Sequence, residues 1–248
     1  MRASSVLLCL LFPFSVFCQE KLDAKKLIQN AITAHGGEKV LKKFRGAEQS
    51  VKGTMTVQKQ KVSFTGSWAI LQPDKLKNEL SITNQGKTTT VVNVVNGKKG
   101  WVSIDGQTSD MPKTILESTR EEIHASHLSQ LTPLLTKEHK LEMLKETRIG
   151  EQNVLAIRVS HKEFNDVDLY FDKVAYYLVR MTYKVKDLSR GGKEVPQSLT
   201  FLDYRKDKSG LMYPGRIELR RDGALLLEGK VTKFRPVKTL DEKLFQKP

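Results

Sequence analysis

From Gln49 to Phe234 the chain alternates apolar and polar residues in short runs, and this period of two is interrupted only once. In the run 61–71, Val62, Phe64, Trp68 and Ile70 alternate with Ser63, Thr65 and Ser67, which gives a strand with one apolar and one polar face. Runs of the same kind occupy 49–57, 75–83, 87–95 and 99–104, and then 140–147, 154–161, 167–171, 177–185, 197–204, 212–221 and 225–234. Turn residues separate them: Pro73, Asn84 to Gly86, the Asn96-Gly97 pair, Gly150 to Asn153, Ser189 to Lys193, Lys206 to Gly210 and the Asp222-Gly223 pair. Strands in tandem at this spacing predict neighbouring antiparallel pairs in a barrel or sandwich, about eleven or twelve strands in all. No repeat of fixed period and no linker divides the chain, so residues 19–248 are expected to form one domain.

Helical spacing appears in two places. Leu27, Ile28, Ala31, Ile32 and Ala34 share one side of a segment that Gly36 and Gly37 end, and Val40, Leu41 and Phe44 face inward from a short second helix over 38–44. The interruption of the strands, 114–135, places Ile115, Leu116, Ile123, Leu128, Leu131, Leu134 and Leu135 at helical intervals. Glu117, Arg120, Glu121, Glu122 and Gln130 fill the other side, and Pro133 ends or kinks the helix.

The first residues bear on compartment. Arg2 precedes an apolar stretch from Val6 to Phe17, which suits a signal-peptide core and falls short of the roughly 20 residues of a membrane span. Residues 1–18 are therefore expected to be a signal peptide and the protein to be exported, to the periplasm or cell envelope. Cleavage after Cys18 leaves Gln19 first; the alternative is lipidation of Cys18, against which bulky Phe17 argues. Cys9 and Cys18 are the two cysteines, so a chain beginning at Gln19 has no disulfide, and its stability rests on burial. The formal net charge is +14, and loss of residues 1–18 removes Arg2 alone. Outside the cytoplasm such a balance favours anionic lipid head groups as partners, or simply keeps the surface solvated. The lysines and arginines are scattered, without the basic runs and interleaved aromatics of a nucleic-acid module.

No cluster carries a recognisable catalytic pattern. His124 and His127 stand three apart on the predicted helix, with Glu121 one turn before, but no HExxH or second ligand group accompanies them. They are expected on the polar flank of the helix, with His35 serving a helix end and His139 and His161 standing alone. Asp166 and Asp168 alternate with Val167, Leu169 and Phe171, as solvent-side residues of a strand do. Neither a GxSxG elbow nor a phosphate-cradling glycine loop is present, and no metal, cofactor or catalytic residue is assigned.

The apolar faces suggest a different use. A barrel of about eleven strands has an interior wider than its own side chains readily fill, so a helix or a ligand must occupy it. By face parity the expected liners are Phe64, Trp68, Ile70, Leu80, Ile82, Val179, Met181 and Phe201 from strands and Leu116, Ile123 and Leu131 from the helix. An acyl chain of about fifteen methylenes needs on the order of 10 kcal/mol of apolar contact to leave a membrane, which a deep cavity can supply and a shallow groove cannot.

The segment AHGGEKVLKKFRG (Ala34 to Gly46), the strand meander, the helical insertion and the closing LLLEGKVTKFRPVKTLDEKLFQKP (Leu225 to Pro248) together resemble the outer-membrane lipoprotein-sorting, LolA/LolB-like proteins, as a divergent member. The resemblance covers the chain from residue 19 onward. It implies a mainly β fold, an unclosed antiparallel β-barrel of about eleven strands whose helices cover an apolar cavity. It implies a monomeric carrier of lipid or lipoprotein acyl chains that meets an anionic membrane and a membrane-bound donor or acceptor protein, without catalysis. No position matches the arginine that holds the lid shut in the best-known carriers of that group; Arg45 precedes the first strand. The other function such a fold could serve is that of an envelope stress sensor or protein-interaction module.

Overall fold

A computed structural model describes residues 23–187 and 190–248. The signal peptide read in residues 1–18 lies outside the described residues. The chain begins with α1 (Ala24–Ala34) and α2 (Glu38–Leu41). The Asp23 side chain accepts from the Lys26 amide and caps α1, whose Leu27, Ile28, Ala31 and Ile32 are buried.

Six antiparallel strands follow: β1 (Gly46–Val57), β2 (Gln60–Leu71), β3 (Lys75–Asn84), β4 (Lys87–Asn96), β5 (Lys99–Ile104) and β6 (Gln107–Asp110). Then comes α3 (Lys113–Leu128), with a 3₁₀ turn at Thr132–Leu135. The second run contains β7 (Lys140–Met143), β8 (Thr147–Ile149), β9 (Gln152–Ser160), β10 (Val167–Asp172), β11 (Leu178–Asp187) and β12 (Lys193–Leu202). It ends with β13 (Arg205–Lys206), β14 (Met212–Tyr213), β15 (Arg216–Arg221) and β16 (Ala224–Val237), and a last 3₁₀ turn at Glu242–Phe245.

Fourteen of these strands form one sheet, in the order β6-β5-β4-β3-β2-β1-β16-β15-β12-β11-β10-β9-β7, with β8 also on β9; β13 and β14 form a separate hairpin. The first and last strands of the chain, β1 and β16, pair from Gly46–Val237 to Met55–Leu227 and weld the two halves together. The sheet does not close, and its free edges are β6 and β7. Those two edges are consecutive in the chain and joined by α3, whose 16 residues span about 24 Å. The helix thus crosses the open side of the curled sheet, packing on β4 and β11.

The sheet is larger than the about eleven strands expected. Strand β6, QTSD, has no apolar alternation. The run 140–147 is two strands, β7 and β8, both paired to β9. The run 212–221 is broken at Pro214-Gly215 into β14 and β15. Strand β12 begins at Lys193, earlier than expected, and includes Pro196; the β15 pairing ends at Gln197–Arg221, and Pro196 follows at the turn, where its carbonyl accepts from the Asp222 amide at 2.8 Å and a missing amide is tolerated.

The main core lies between α1, the second half of α3 and the inner face of β9 to β12, centred on Leu128, Leu131, Leu134, Ile157, Leu169 and Phe171. On the outer face of β2 and β4, Phe245 is fully buried against Leu71 and Val94, so the closing LF-x-KP segment is a plug for the back of the sheet. None of the described helices is long and apolar enough to cross a membrane.

Candidate functional site: an apolar cavity beneath the crossing helix

Between the inner face of the sheet and α3 lies a cavity of about 350 Å³. Strand alternation supplies its walls. Ala47 and Gln49 of β1, Trp68 and Ile70 of β2, and Leu76 and Asn78 of β3 form one side, in register through the pairs Gln49–Trp68, Trp68–Asn78 and Ile70–Leu76. Met181, Leu199, Phe201, Ile217, Leu219, Leu227 and Phe234 form the other, in register through Met181–Leu199, Leu199–Leu219 and Leu219–Leu227. Glu122, Ile123 and Ser126 of α3 face it from the crossing helix, and Leu41, Phe44, Met212 and Tyr213 complete the lining from α2, the turn after it and β14.

A polar network at one end of this space links α3 to the sheet. The Gln197 amide nitrogen donates to Glu122 Oε1 at 2.9 Å and to the Tyr183 hydroxyl at 3.0 Å, while Gln197 Oε1 accepts from Arg221 Nε at 2.8 Å and Nη2 at 2.7 Å. Arg221 Nη2 stands 3.7 Å from Glu122 Oε1. Gln197 is buried, whereas 37% of the Glu122 side chain is accessible, and Glu122, Tyr183 and Gln197 all line the cavity. The apolar surroundings of its partly accessible side chain raise the Glu122 carboxyl above its ordinary value, against the hydrogen bond from Gln197 and the charge of Arg221. Burial likewise pushes the Tyr183 phenol up.

These residues escaped the sequence reading because Glu122 falls on the charged side of the helix. The strand members carry a legible signal: Gln197 alternates with Val195, Leu199 and Phe201, Tyr183 with Met181 and Val185, and Arg221 with Ile217 and Leu219. Parity places all three on the inner face.

Of the expected liners, the structure brings Trp68, Ile70, Ile123, Met181 and Phe201 to the cavity. The other six lie elsewhere. Phe64 is buried with Val51, Leu227 and Val231 over Gly229, where a β-carbon would stand 2.5 Å from Val51 Cγ1, and Leu80 and Ile82 pack against that same cluster. Leu116 packs with Leu76, Val95 and Met111 near the start of α3, and Leu131 is enclosed in the main core. Val179 is displaced by a bulge: Tyr170 pairs with Arg180 but Phe171 with Leu178, so Leu178 takes the cavity-facing place.

The histidines also differ from expectation. His124 is buried rather than surface-placed, stacked on Phe164 with ring centroids 4.1 Å apart, and His139 and His161 join it at 6.1 and 5.3 Å. Among the described residues no group of side chains is arranged to hold a metal ion. Burial, then the neighbouring imidazoles, lower His124 to about 3. His35 does serve the end of α1, its Nδ1 2.7 Å from the Ala31 carbonyl oxygen, and burial lowers it to about 4. Asp168 is a structural partner of Arg158, held at 2.8 and 2.9 Å.

No family model matches the chain, and no curated protein matches it in sequence. Solved structures match it in shape. A LolA superfamily protein from Nitrosomonas europaea superposes with a TM-score of 0.56 at 11% identity, over 91% of this chain and 98% of that one. A domain described as outer membrane lipoprotein-sorting, from Vibrio parahaemolyticus, gives 0.54 at 12% identity, over 89% and 95%. A DUF1329 family protein from Desulfovibrio piger gives 0.55 at 11% identity, over 90% and 96%. The chain therefore has the LolA-like fold, a large unclosed antiparallel sheet with few helices laid across it.

Proposed function

We propose that this protein is an exported, non-enzymatic carrier that holds the acyl chains of lipids or lipoproteins in the cavity beneath α3, for transport across or sorting within the cell envelope. The observation that carries the reading is the unfilled apolar space itself: a sheet of fourteen strands curls around more volume than its side chains occupy, and α3 covers that space without filling it. Trp68, Ile70, Met181, Phe201 and Leu227 would contact the chain from the sheet and Ile123 from the helix. Pockets of this size and apolarity are what small hydrophobic ligands use. Fold neighbours that include a lipoprotein-sorting domain support the same reading. The basic surface suits docking on an anionic membrane beside a donor or acceptor protein, a contact that weakens as salt rises.

The direct test is native mass spectrometry of the protein purified from its own envelope under mild extraction, against a denatured control. A copurifying mass that dissociates as a lipid or acylated peptide is expected. A clean apo mass, with fluorescent fatty-acid probes also failing to bind, overturns the carrier reading in favour of an interaction module.

A further inference from the structure

The polar network at the cavity wall is more elaborate than a structural tie needs. Gln197 spends both amide protons and its carbonyl oxygen inside the network, and it is held by strand pairing to Tyr183 on one side and Arg221 on the other. What Gln197 and Tyr183 present to the cavity, with Arg221 behind them, is a set of donors. The Tyr183 hydroxyl accepts from Gln197 and keeps its own proton to give away. Arg221 commits Nε and Nη2 to Gln197 Oε1, which leaves further N–H groups on a guanidinium that is 26% accessible. An amide N–H and a phenolic O–H that line an apolar cavity, backed by a guanidinium bound to the same amide, make a site for an anion, because charge-assisted hydrogen bonds gain strength in apolar surroundings.

That site already holds a carboxyl group, contributed by α3. Glu122 Oε1 takes the Gln197 proton and faces Arg221, while part of the Glu122 side chain remains open to the cavity. The internal carboxyl shows by its own fit that the space admits a group of that size and polarity. We propose that Gln197, Tyr183 and Arg221 form a recognition site for the carboxylate of a long-chain fatty acid, occupied by Glu122 in the ligand-free protein and yielded when the acid enters. The proposal rests on the carrier reading and specifies its ligand. The acyl tail lies along Met181, Leu199 and Leu219, which neighbour the site in the same strands. Entry of the acid also breaks the tie that Glu122 makes between α3 and the sheet.

The test compares hexadecanoic acid with hexadecanol, which has the same tail and no charge, by calorimetric titration of the delipidated protein at pH 8. The native chain is expected to bind the acid at least about tenfold more tightly than the alcohol, the worth of a charge-assisted hydrogen bond. Arg221→Gln is expected to lose that preference. Glu122→Ala is expected to widen it, because the internal competitor is gone; a residue that merely braced the helix would weaken both ligands or neither. Acid and alcohol binding alike in the native chain, or a preference that narrows in Glu122→Ala, overturns the site while leaving the carrier reading in place. Failure of both ligands to bind the native chain overturns the carrier reading and this inference with it.

Discussion

Gly36 lies so close to Gly210 that a β-carbon on it would stand 2.5 Å from the Gly210 carbonyl oxygen, and its φ of 117° is one that L side chains rarely adopt. Beside it, the Met212 amide donates to the His35 carbonyl at 3.1 Å. The Ala-His-Gly-Gly segment is thus a joint that fixes the end of α1 to the β13–β14 hairpin and sets α2 and the turn after it beside the cavity, where Leu41 and Phe44 line it. Gly37 shares the positive φ, at 88°, but has nothing within 4 Å of where a β-carbon would be. Gly37→Ala, at φ 88° and ψ 157°, is expected to cost about 1–3 kcal/mol, the backbone penalty alone, and Gly36→Ala clearly more, because the hairpin must also shift. Denaturant midpoints of the two variants measure the difference; equal losses would mean that the contact with Gly210 contributes nothing.

Acid is expected to destabilise the fold well above the carboxylate range. His35 and His124 are neutral in the folded chain, with pKa values lowered to about 4 and about 3 by burial, while an unfolded chain restores the ordinary value of 6.5. Below that value the unfolded state binds protons that the folded state refuses, so stability falls as pH drops from about 6.5 toward the folded values and is retained above. For His35 the loss at pH 5 is on the order of 2 kcal/mol. Urea midpoints at pH 7.5 and pH 5 test this, and His124→Phe, which keeps a ring against Phe164, should flatten part of the slope. A midpoint that holds constant across that interval would show both rings open to solvent.

Much of the architecture was legible because the sheet obeys strict alternation and its hairpins use recognisable turns. Asn96-Gly97 and Asp222-Gly223 stand where the chain reverses, closing the pairs Asn96–Lys99 and Arg221–Ala224. Strand β6 was missed because an edge strand needs no apolar face, yet Asp105-Gly106, with φ of 49° and 87°, carries the same hairpin signal. The cavity was legible only as a need, a wide sheet requiring an occupant. Which side chains face it depends on where α3 crosses and where β11 bulges, and neither is written in local periodicity. Hence Leu131 went to the core and Val179 off the wall, while Trp68 and Phe201, on strands whose partners keep register, reached the cavity. The gathering of His124, His139 and His161 depends on the same crossing, since it joins α3 to segments beside β7 and β9.

Filling the cavity from a position that contributes little to packing separates a binding space from a packing defect. Ala47 of β1 lines it, half-buried, between Ile70 and Pro236 on the neighbouring strands. Ala47→Phe places a ring in space that the folded chain leaves empty, so no existing contact is lost. Acyl binding is expected to fall at least about tenfold, while stability stays level or rises by about 1 kcal/mol from the added burial. Overpacking of an already filled site would instead cost about 1–3 kcal/mol. A fatty-acid titration and a thermal melt on the same sample therefore give opposite patterns for the two cases. Lost stability with binding intact would show that the ligand does not run past Ala47 on the Trp68 and Ile70 side of the cavity.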